Sequence, residues 1–582
     1  MGHGHSHHHD HDHYGHDHGT TGDLPAAVDL TVPDEELSPS DLSRRGFLRN
    51  AGLLGAGAAA TVLATPELAH AHGSGGGHGP GGGHGPGGGH GGGSEPKGGF
   101  QWLAGDHHIH TQYSSDAQYR VIDQARHARA HGLDWMVITD HGSVTHAKIG
   151  VEKVNPDIVA ARGQLRDLLI YQGLEWNIPA AEHATVFVAP GRNEVAVLKE
   201  FENAYDGSVR GAGDPTPANE ALAVAGIRFL GEAVRRRRID GALFLANHPA
   251  RRGIDSPHEV RAWRDADPTV AVGMEGAPGH QAAGLPRATA GRARGYYDNN
   301  PSASSFPGYP LESYRTWGGF DWMTATVGGL WDSLLAEGKP WWISANSDSH
   351  VNYLDTSQRG PDSNFELNGR YHDPVYGPLL TEAGDYWPGQ YSRTHVGASS
   401  FSYRAVMDGL RSGRVWVDHG GLISGLDVRA RIAGDRRHDS GTPLGGVLRV
   451  RRGTSVELTI DIDLANTPNW SQFVPALARV DVITGRVTGP VGDRDTFTAP
   501  TARVAKSFEV GRGTGRVSFT YSFGRVDQPF YVRLRGTDGK RSAPGLMGAA
   551  VDPHGPALDV VGAADPWEDL WFYANPIWVL PS

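Results

Sequence analysis

The chain has 582 residues, 38% of them hydrophobic, and a formal net charge of −12 at pH 7. That length accommodates one barrel-sized domain and a smaller companion, while the acidic balance argues against general binding to nucleic acid or anionic lipid. There is no cysteine, which excludes disulfides, thiolate metal sites and cysteine nucleophiles.

Residues 1–20 interleave His3, His5, His7, His8, His9, His11, His13, His16 and His18 with Asp10, Asp12 and Asp17. Such a tract cannot bury a core and reads either as a solvated tail or as a loose collector of transition metal. Ser43-Arg44-Arg45-Gly46-Phe47-Leu48-Arg49 then precedes an Ala/Gly-rich apolar run and Ala69-His70-Ala71. This resembles a twin-arginine export signal with cleavage near Ala71. The run, about 14 residues, is shorter than the ~20 a membrane span needs. The expectation is a secreted or extracytoplasmic protein that meets the twin-arginine machinery and keeps no stable membrane anchor. Residues 72–99, with His78, His84 and His90 among glycines, read as a flexible linker.

Globular sequence starts near residue 100, and residues 100–420 read as an α/β unit. Its short apolar runs end in polar residues of metal-ligand type. The first segment ends in His108-Ile109-His110, whose alternate residues face one way on extended backbone and can share an ion; Asp116 follows. A helical pattern over 117–131 carries Val121, Ile122, Ala125 and Ala128 on one side, with Gly132 as its stop. Trp135–Ile138 runs into Thr139-Asp140-His141, with Asp140 expected to orient His141 through its second ring nitrogen. Leu168–Tyr171 leads to Glu175, and His183 follows. Ala242–Leu245 leads to Asn247-His248, then to Arg251 and Arg252, a phosphate-binding pair or simply a solvent-facing one. Glu275 and His280 mark another strand end, with a pocket role and a structural one equally open. Trp341–Ser344 leads to Asp348-Ser349-His350. His107 reads as an outward or packing residue, and His127, His131 and His146 as helix or loop histidines.

Continuous apolar runs suit strands buried on both faces of a parallel barrel, where chemistry gathers at the C-terminal strand ends. Two long irregular stretches are expected to wall the pocket. One covers 281–325, with Tyr296, Tyr297, Tyr309, Tyr314, Trp317 and Trp322. The other covers 353–395, with Tyr371, His372, Asp373, Tyr376 and Tyr386. Their composition suggests a substrate with a flat or sugar-like part. Residues 421–582 switch to period two (Val456, Leu458, Ile460, Ile462; Ala478, Val480, Val482; Val517, Phe519, Tyr521; Phe530, Val532, Leu534). They read as a smaller antiparallel β-sandwich with a Trp-rich tail, 565–576, packing back on the barrel.

Taken in order, His108-x-His110, Thr139-Asp140-His141, Gly173-Leu174-Glu175, Asn247-His248-Pro249 and Ser347-Asp348-Ser349-His350 resemble the PHP (polymerase and histidinol phosphatase) metallohydrolases. The likeness extends to exported, carbaryl-hydrolase-like members. It implies a distorted (βα)7 barrel holding two or three divalent ions, zinc, manganese or iron. His108, His110, Glu175 and His248 would hold the deeper ions, with Glu175 bridging. His141 and His183 would serve a further one, Asp348 and His350 would complete the cluster, and Asp116 is an additional ligand. Catalytic work falls to Asp348, His248 and Arg251. The reaction expected is hydrolysis of a small organic phosphoester by metal-activated hydroxide. Two alternatives are a carboxyl or carbamate ester hydrolase using the same cluster, and a non-catalytic metal-binding protein.

Overall fold

The computed structural model describes Pro33, 99–281, 286–287, 291–292, 297, 301–352, 355–361, 363–380, 384–435, 441–511, 513–540, 552, 554–559 and 565–582. The His-rich leader, the twin-arginine motif, the Gly/His linker up to residue 98 and Tyr296 lie outside the described residues. No helix among the described residues is long and apolar enough to cross a membrane.

Seven strands carry the first part of the chain: β1 (Gln101–Asp106), β2 (Trp135–Ile138), β3 (Leu169–Asn177), β4 (His183–Val188), β5 (Ala242–Ala246), β6 (Ala271–Pro278) and β7 (Trp342–Asn346). Between them run α1 (Val121–Ala130), α2 (Val151–Gln164), α3 (Glu194–Tyr205), α4 (Pro217–Arg235), α5 (Pro257–Ala266) and α6 (Leu330–Ala336). Buried residues fill both faces of β2 and β5 without a break, as continuous apolar runs demand when helices cover a sheet. Helix α1 ends where Gly132 takes φ +82°, a conformation that favours glycine. Gln124 also faces inward from it and donates Nε2 to the carbonyl of His110 at 2.8 Å.

The spatial order is β7-β6-β5-β4-β3-β2-β1. Pairings are parallel except around β4, which runs antiparallel to both β3 and β5. An all-parallel arrangement was the expectation, and the short β3–β4 link explains the departure: 178–182 is too short for a crossover helix. The sheet curls until the continuations of β1 and β7 meet in a parallel bridge between Ile109 and Ser349, with His110 N–H donating to Ser349 O at 3.0 Å. Asp106 ties the same ends together, accepting from His108 N–H and Ser347 N–H, each at 3.0 Å.

Beyond β1 the sheet continues antiparallel through β8 (Ser392–Ala398) and β9 (Val415–His419), which flank α7 (Tyr403–Arg411). The longer strands that follow are β10 (Ile423–Ile432), β11 (Val447–Val450), β12 (Thr454–Leu464), β13 (Arg479–Arg486), β14 (Arg503–Glu509), β15 (Arg516–Val526), β16 (Phe530–Thr537) and β17 (Trp571–Pro581). The Trp-rich tail is β17, inserted between β9 and β16, and β13 and β14 extend the order outward. A separate sheet stacks β10-β12-β15. Val456, Leu458, Ile460 and Ile462 pack from it against Val480, Val532, Leu534 and Ile577. The expectation of a self-contained sandwich is therefore corrected. There are two packed layers, but one of them is the same sheet that carries β1–β7, because β17 pairs with β9 as well as β16.

Side chains link β7 to strands it does not pair with. Thr394 Oγ1 on β8 contacts Ala345 N and O (2.8 and 2.6 Å), and Asn575 Oδ1 on β17 accepts from Ile343 N–H at 3.0 Å. At a second junction, Arg533 of β16 donates Nε and Nη2 to the two oxygens of Asp332 on α6, each at 2.8 Å, and both side chains are fully buried. Asp332→Ala would strand that guanidinium in the interior, so a loss of about 3–5 kcal/mol is expected. The check is a lowered denaturant midpoint; an unchanged midpoint would mean that the junction carries little of the stability.

Candidate metal centre

The site grows from the ends of β1, β2, β3, β5 and β7 and from the start of β4. After Asp106 the chain bends at His107 and then runs on to the bridge at Ile109. Ile109 turns inward to donate N–H to Thr139 Oγ1 at 2.9 Å, so His108 and His110 turn the other way and bring their Nε2 atoms within 3.0 Å. Because β4 is antiparallel, its first residue, His183, lies opposite Asn177 at the last turn of β3. That reversal puts His183 at the same end as the C-terminal residues of the parallel strands.

Glu175 is the hub. Its Oε1 lies 3.2 Å from His108 Nε2, 3.1 Å from His183 Nδ1 and 3.1 Å from His248 Nε2. Its Oε2 lies 3.3 Å from His110 Nε2 and 3.0 Å from His141 Nδ1. Asp348 Oδ1 faces His108 Nε2 at 3.0 Å and His110 Nε2 at 3.3 Å. At the rim, Asp116 Oδ2 sits between His141 Nε2 (3.0 Å) and His350 Nε2 (3.3 Å). The structure thus brings together all nine residues that the sequence nominated as ligands. The floor, formed by His108, His110, Glu175, His248 and Asp348, is buried, whereas the Asp116 side chain is 45% exposed.

Two of these residues hold positive φ without being glycine: His248 at 30° and Asp348 at 50°. Such backbone is uncommon, is stabilised only by its surroundings, and clusters at functional sites. Gly279 makes the neighbouring approach possible: a Cβ there would stand 2.2 Å from Ser347 O.

Burial alone would raise the carboxyls of Glu175 and Asp348, but the surrounding imidazoles outweigh it and hold both well below the ordinary range. Burial opposes charge on His141 as well, yet Glu175 and Asp116 carry it up to about 9. His248 goes the other way, to about 4, because burial prevails.

A divalent ion fits this donor set. Both oxygens of Asp348 and Nδ1 of His183 are buried with no hydrogen-bond partner, although an unpaired polar atom is costly inside a protein. The potential ligand atoms of His108, His110 and Asp348 lie within 4.8 Å of one another, as do those of His141, Glu175 and His183, and those of His110, Asp116, His141 and His350. Nitrogen and carboxylate donors without thiolate suit zinc, manganese or iron.

Several supporting residues lay outside the sequence assignment. Glu275, left open between pocket and structural roles, accepts at Oε1 from His108 Nδ1 (2.7 Å) and at Oε2 from His248 N–H (2.6 Å), and burial pushes its carboxyl up to about 7. It fixes the orientation of His108 from behind, and its place at a strand end was the available signal. Glu275→Gln is expected to weaken metal affinity about 10–100-fold, as loss of a ligand's carboxylate partner does; affinity unchanged by metal titration would remove that role. Ser114 spans His110 Nδ1 (3.1 Å) and Asp116 Oδ1 (2.7 Å). Asp385 accepts from the backbone N–H groups of His350 (2.7 Å) and Val351 (2.8 Å); it lies in the stretch 353–395 expected to wall the pocket, but nothing in the sequence singled it out.

Other expectations are corrected. Asp140 accepts from Thr111 N–H (2.6 Å) and Oγ1 (2.9 Å), while both ring nitrogens of His141 face Glu175 and Asp116. Asp140 therefore braces the loop after His110 and not the ring of His141. Of the two readings left open for His107, outward or packing, the structure takes the second: it is buried, with its ring nitrogens on Thr185 Oγ1 (3.1 Å) and Ser344 Oγ (2.7 Å).

Above the floor opens a cavity of about 690 Å3, lined by Asp116, His141, Arg251, His280, Val351 and Leu379 among others. Arg251 is on its wall; Arg252 instead turns out, 56% exposed, 3.5 Å from Glu182. The two stretches expected to wall the pocket do reach it, through Gln281 from the first and Leu379, Leu380, Gly384 and Asp385 from the second, but the aromatic residues named in them do not line it among the described residues. Tyr309, Tyr314, Trp317, Trp322 and Tyr386 are buried elsewhere, and Tyr376 points to solvent. They are large apolar rings in a region with space to cover, and packing claimed them.

No curated protein matches the chain. Among solved structures, a two-domain protein from Bacteroides vulgatus ATCC 8482 containing a predicted PHP-like metal-dependent phosphoesterase is 14% identical, covers 76% of this chain and 92% of its own, and has a TM-score of 0.30. A protein from Bifidobacterium adolescentis ATCC 15703, described as a metal-dependent phosphoesterase, is 17% identical over 29% of this chain and 76% of its own, with a TM-score of 0.19. Endonuclease Q, in complex with a 27-mer duplex bearing an abasic lesion, is 12% identical over 53% of this chain and 57% of its own, with a TM-score of 0.25. Residues 106–212, which hold His108, His110, Asp116, His141, Glu175 and His183 but not His248, Asp348 or His350, match the PHP domain.

Proposed function

We propose that this chain is an exported metal-dependent phosphoesterase, with β1–β7 acting as a distorted (βα)7 barrel. The observation that carries the reading is the convergence of Glu175 and Asp348 with five buried or half-buried imidazoles beneath an open cavity. Two or three divalent ions held there would supply Lewis-acid activation of water and neutralise charge on the phosphoryl group. The chain's own residues do the rest. Glu275 and Ser114 hold His108 and His110 in one orientation. Arg251, on the cavity wall, offers a guanidinium to phosphoryl oxygens, whose planar fork matches them. The buried floor keeps bulk water from beneath the reacting group, so electrostatic interactions act at low screening. Export and an extracytoplasmic location rest on Arg44-Arg45 and the apolar run behind them, with the mature enzyme beginning near residue 72.

The test is metal analysis of the mature protein together with assays on nitrophenyl phosphate, bis-nitrophenyl phosphate and a nitrophenyl carboxylate ester. Bound divalent metal with chelator-sensitive phosphoester cleavage is expected. Cleavage of the carboxylate ester alone would transfer the site to the carboxyl or carbamate ester reading. Metal without any turnover would favour a binding protein.

A further inference from the structure

The cavity above the metal centre is not uniformly polar. Arg251, after β5, and Gln281, after β6, bring polar groups to it; Gln281 is 7% exposed and its Oε1 has no hydrogen-bond partner. Val351, Leu379 and Leu380 bring hydrocarbon. Leu379 is 54% exposed. One exposed leucine is unremarkable, but three aliphatic side chains on the wall of the cavity that holds the metal-ligand cluster are a different matter, since an apolar wall beside convergent polar groups is what a concave binding site presents to a ligand.

This wall is also anchored to the centre. Leu380 N–H donates to Asp355 O at 2.8 Å, and Asn352 bridges Asp385. Asp385 in turn accepts from the N–H groups of His350 and Val351. The leucines therefore keep a set distance from the His350 ligand position. A sugar or other polyhydroxyl group placed against them would lose water without gaining hydrogen bonds in return, whereas a hydrocarbon group would bury both surfaces.

We infer that the esterified group of the substrate is apolar: an alkyl or aryl phosphate, seated with its phosphoryl group toward the metal-ligand floor and Arg251, and its hydrocarbon against Val351, Leu379 and Leu380. This rests on the phosphoesterase reading and narrows it.

The experiment measures binding of methylphosphonate and n-octylphosphonate, neither of which has an ester bond to cleave, to the metal-loaded protein by calorimetry. It is repeated on the combined Leu379→Ser and Leu380→Ser variant, and hydrolysis of octyl phosphate is compared with that of glycerol phosphate. Each covered methylene contributes roughly threefold to fourfold in affinity, so the octyl ligand should bind at least about tenfold more tightly, and the variant should lose most of that ratio. Equal binding of the two phosphonates, or a ratio unchanged in the variant, overturns the inference while leaving phosphoester cleavage intact. Failure of the underlying reading looks different: neither phosphonate binds and no phosphoester is cleaved, and the inference falls with it.

Discussion

Replacing Asp348 by asparagine is expected to abolish chelator-sensitive turnover while the protein stays folded. Asparagine tolerates the φ of 50° at this position and preserves the shape of the side chain, so the change removes charge and little else. The carboxylate it replaces is buried and lies 3.0 Å from His108 Nε2 and 3.3 Å from His110 Nε2. Its charge is balanced by those imidazoles or by a bound cation, so the asparagine variant loses metal affinity and some of the stability that the pairing gives. The loss in rate should exceed the roughly 10^2–10^3-fold that removal of one preorganised electrostatic donor costs, and bound metal should fall with it. Asp348→Ala should lose the same activity and more stability, because alanine is strained at positive φ. Full turnover in Asp348→Asn would remove Asp348 from the centre.

Glu175→Gln should be at least as damaging, and for a distinct reason. Its two oxygens reach His108, His183 and His248 on one side and His110 and His141 on the other, so neutralising it affects more than one candidate ion position at once. The metal content of Glu175→Gln is expected to drop by more than that of His183→Ala, which removes one ligand from one edge. Mass-spectrometric metal counting on the purified variants decides this; equal losses would mean that Glu175 serves a single ion. Metal uptake should also weaken as pH falls, because binding at His141 displaces a proton from a ring whose pKa Glu175 and Asp116 raise against burial to about 9. Glu175→Gln should flatten that dependence.

The stability and orientation predictions, at Asp332 and Glu275, read different parts of the molecule. Asp332 tests the junction between α6 and β16, remote from the centre, and should leave metal affinity alone. Glu275 tests the reverse: a carboxylate with its charge already discouraged by burial, whose neutral replacement should cost little stability and much of the orientation of His108.

What the sequence alone offered was a set of candidate donors. Six of them, His108, His110, His141, His248, Asp348 and His350, lie just past a largely apolar strand, where the first polar side chains are released; Glu175 lies within β3, Asp116 in the loop after His110 and His183 at the start of β4. The alternation in His108-Ile109-His110 likewise determined which rings converge, because extended backbone sends alternate residues to the same side. Period-two patterning after residue 421 picked out the buried face of β12, where Val456, Leu458, Ile460 and Ile462 alternate with more exposed residues, and the buried Val480 and Val482 of β13; β16 is buried on both faces from Tyr531 to Thr537.

What only the tertiary structure decided was everything that depends on chain segments distant in sequence. The reversal of β4, which brings His183 into place, follows from a link too short for a crossover. The sharing of one sheet by both parts of the chain follows from β17 returning to pair with β9, some 150 residues earlier by the numbering of the two strands. Glu275 and Asp385 act through hydrogen bonds to ligand residues far away in sequence, and no local pattern encodes such partners; Ser114 reaches His110 and Asp116 within one loop, but only the folded loop shows which of its neighbours it bonds. The pocket-lining tyrosines were misjudged for the same reason: a composition rich in aromatic residues does not say which faces of them find a core to bury in. Val351, Leu379 and Leu380 reach the cavity because Asp385 and Asp355 pin their loops there, and that is a matter of three-dimensional contact alone.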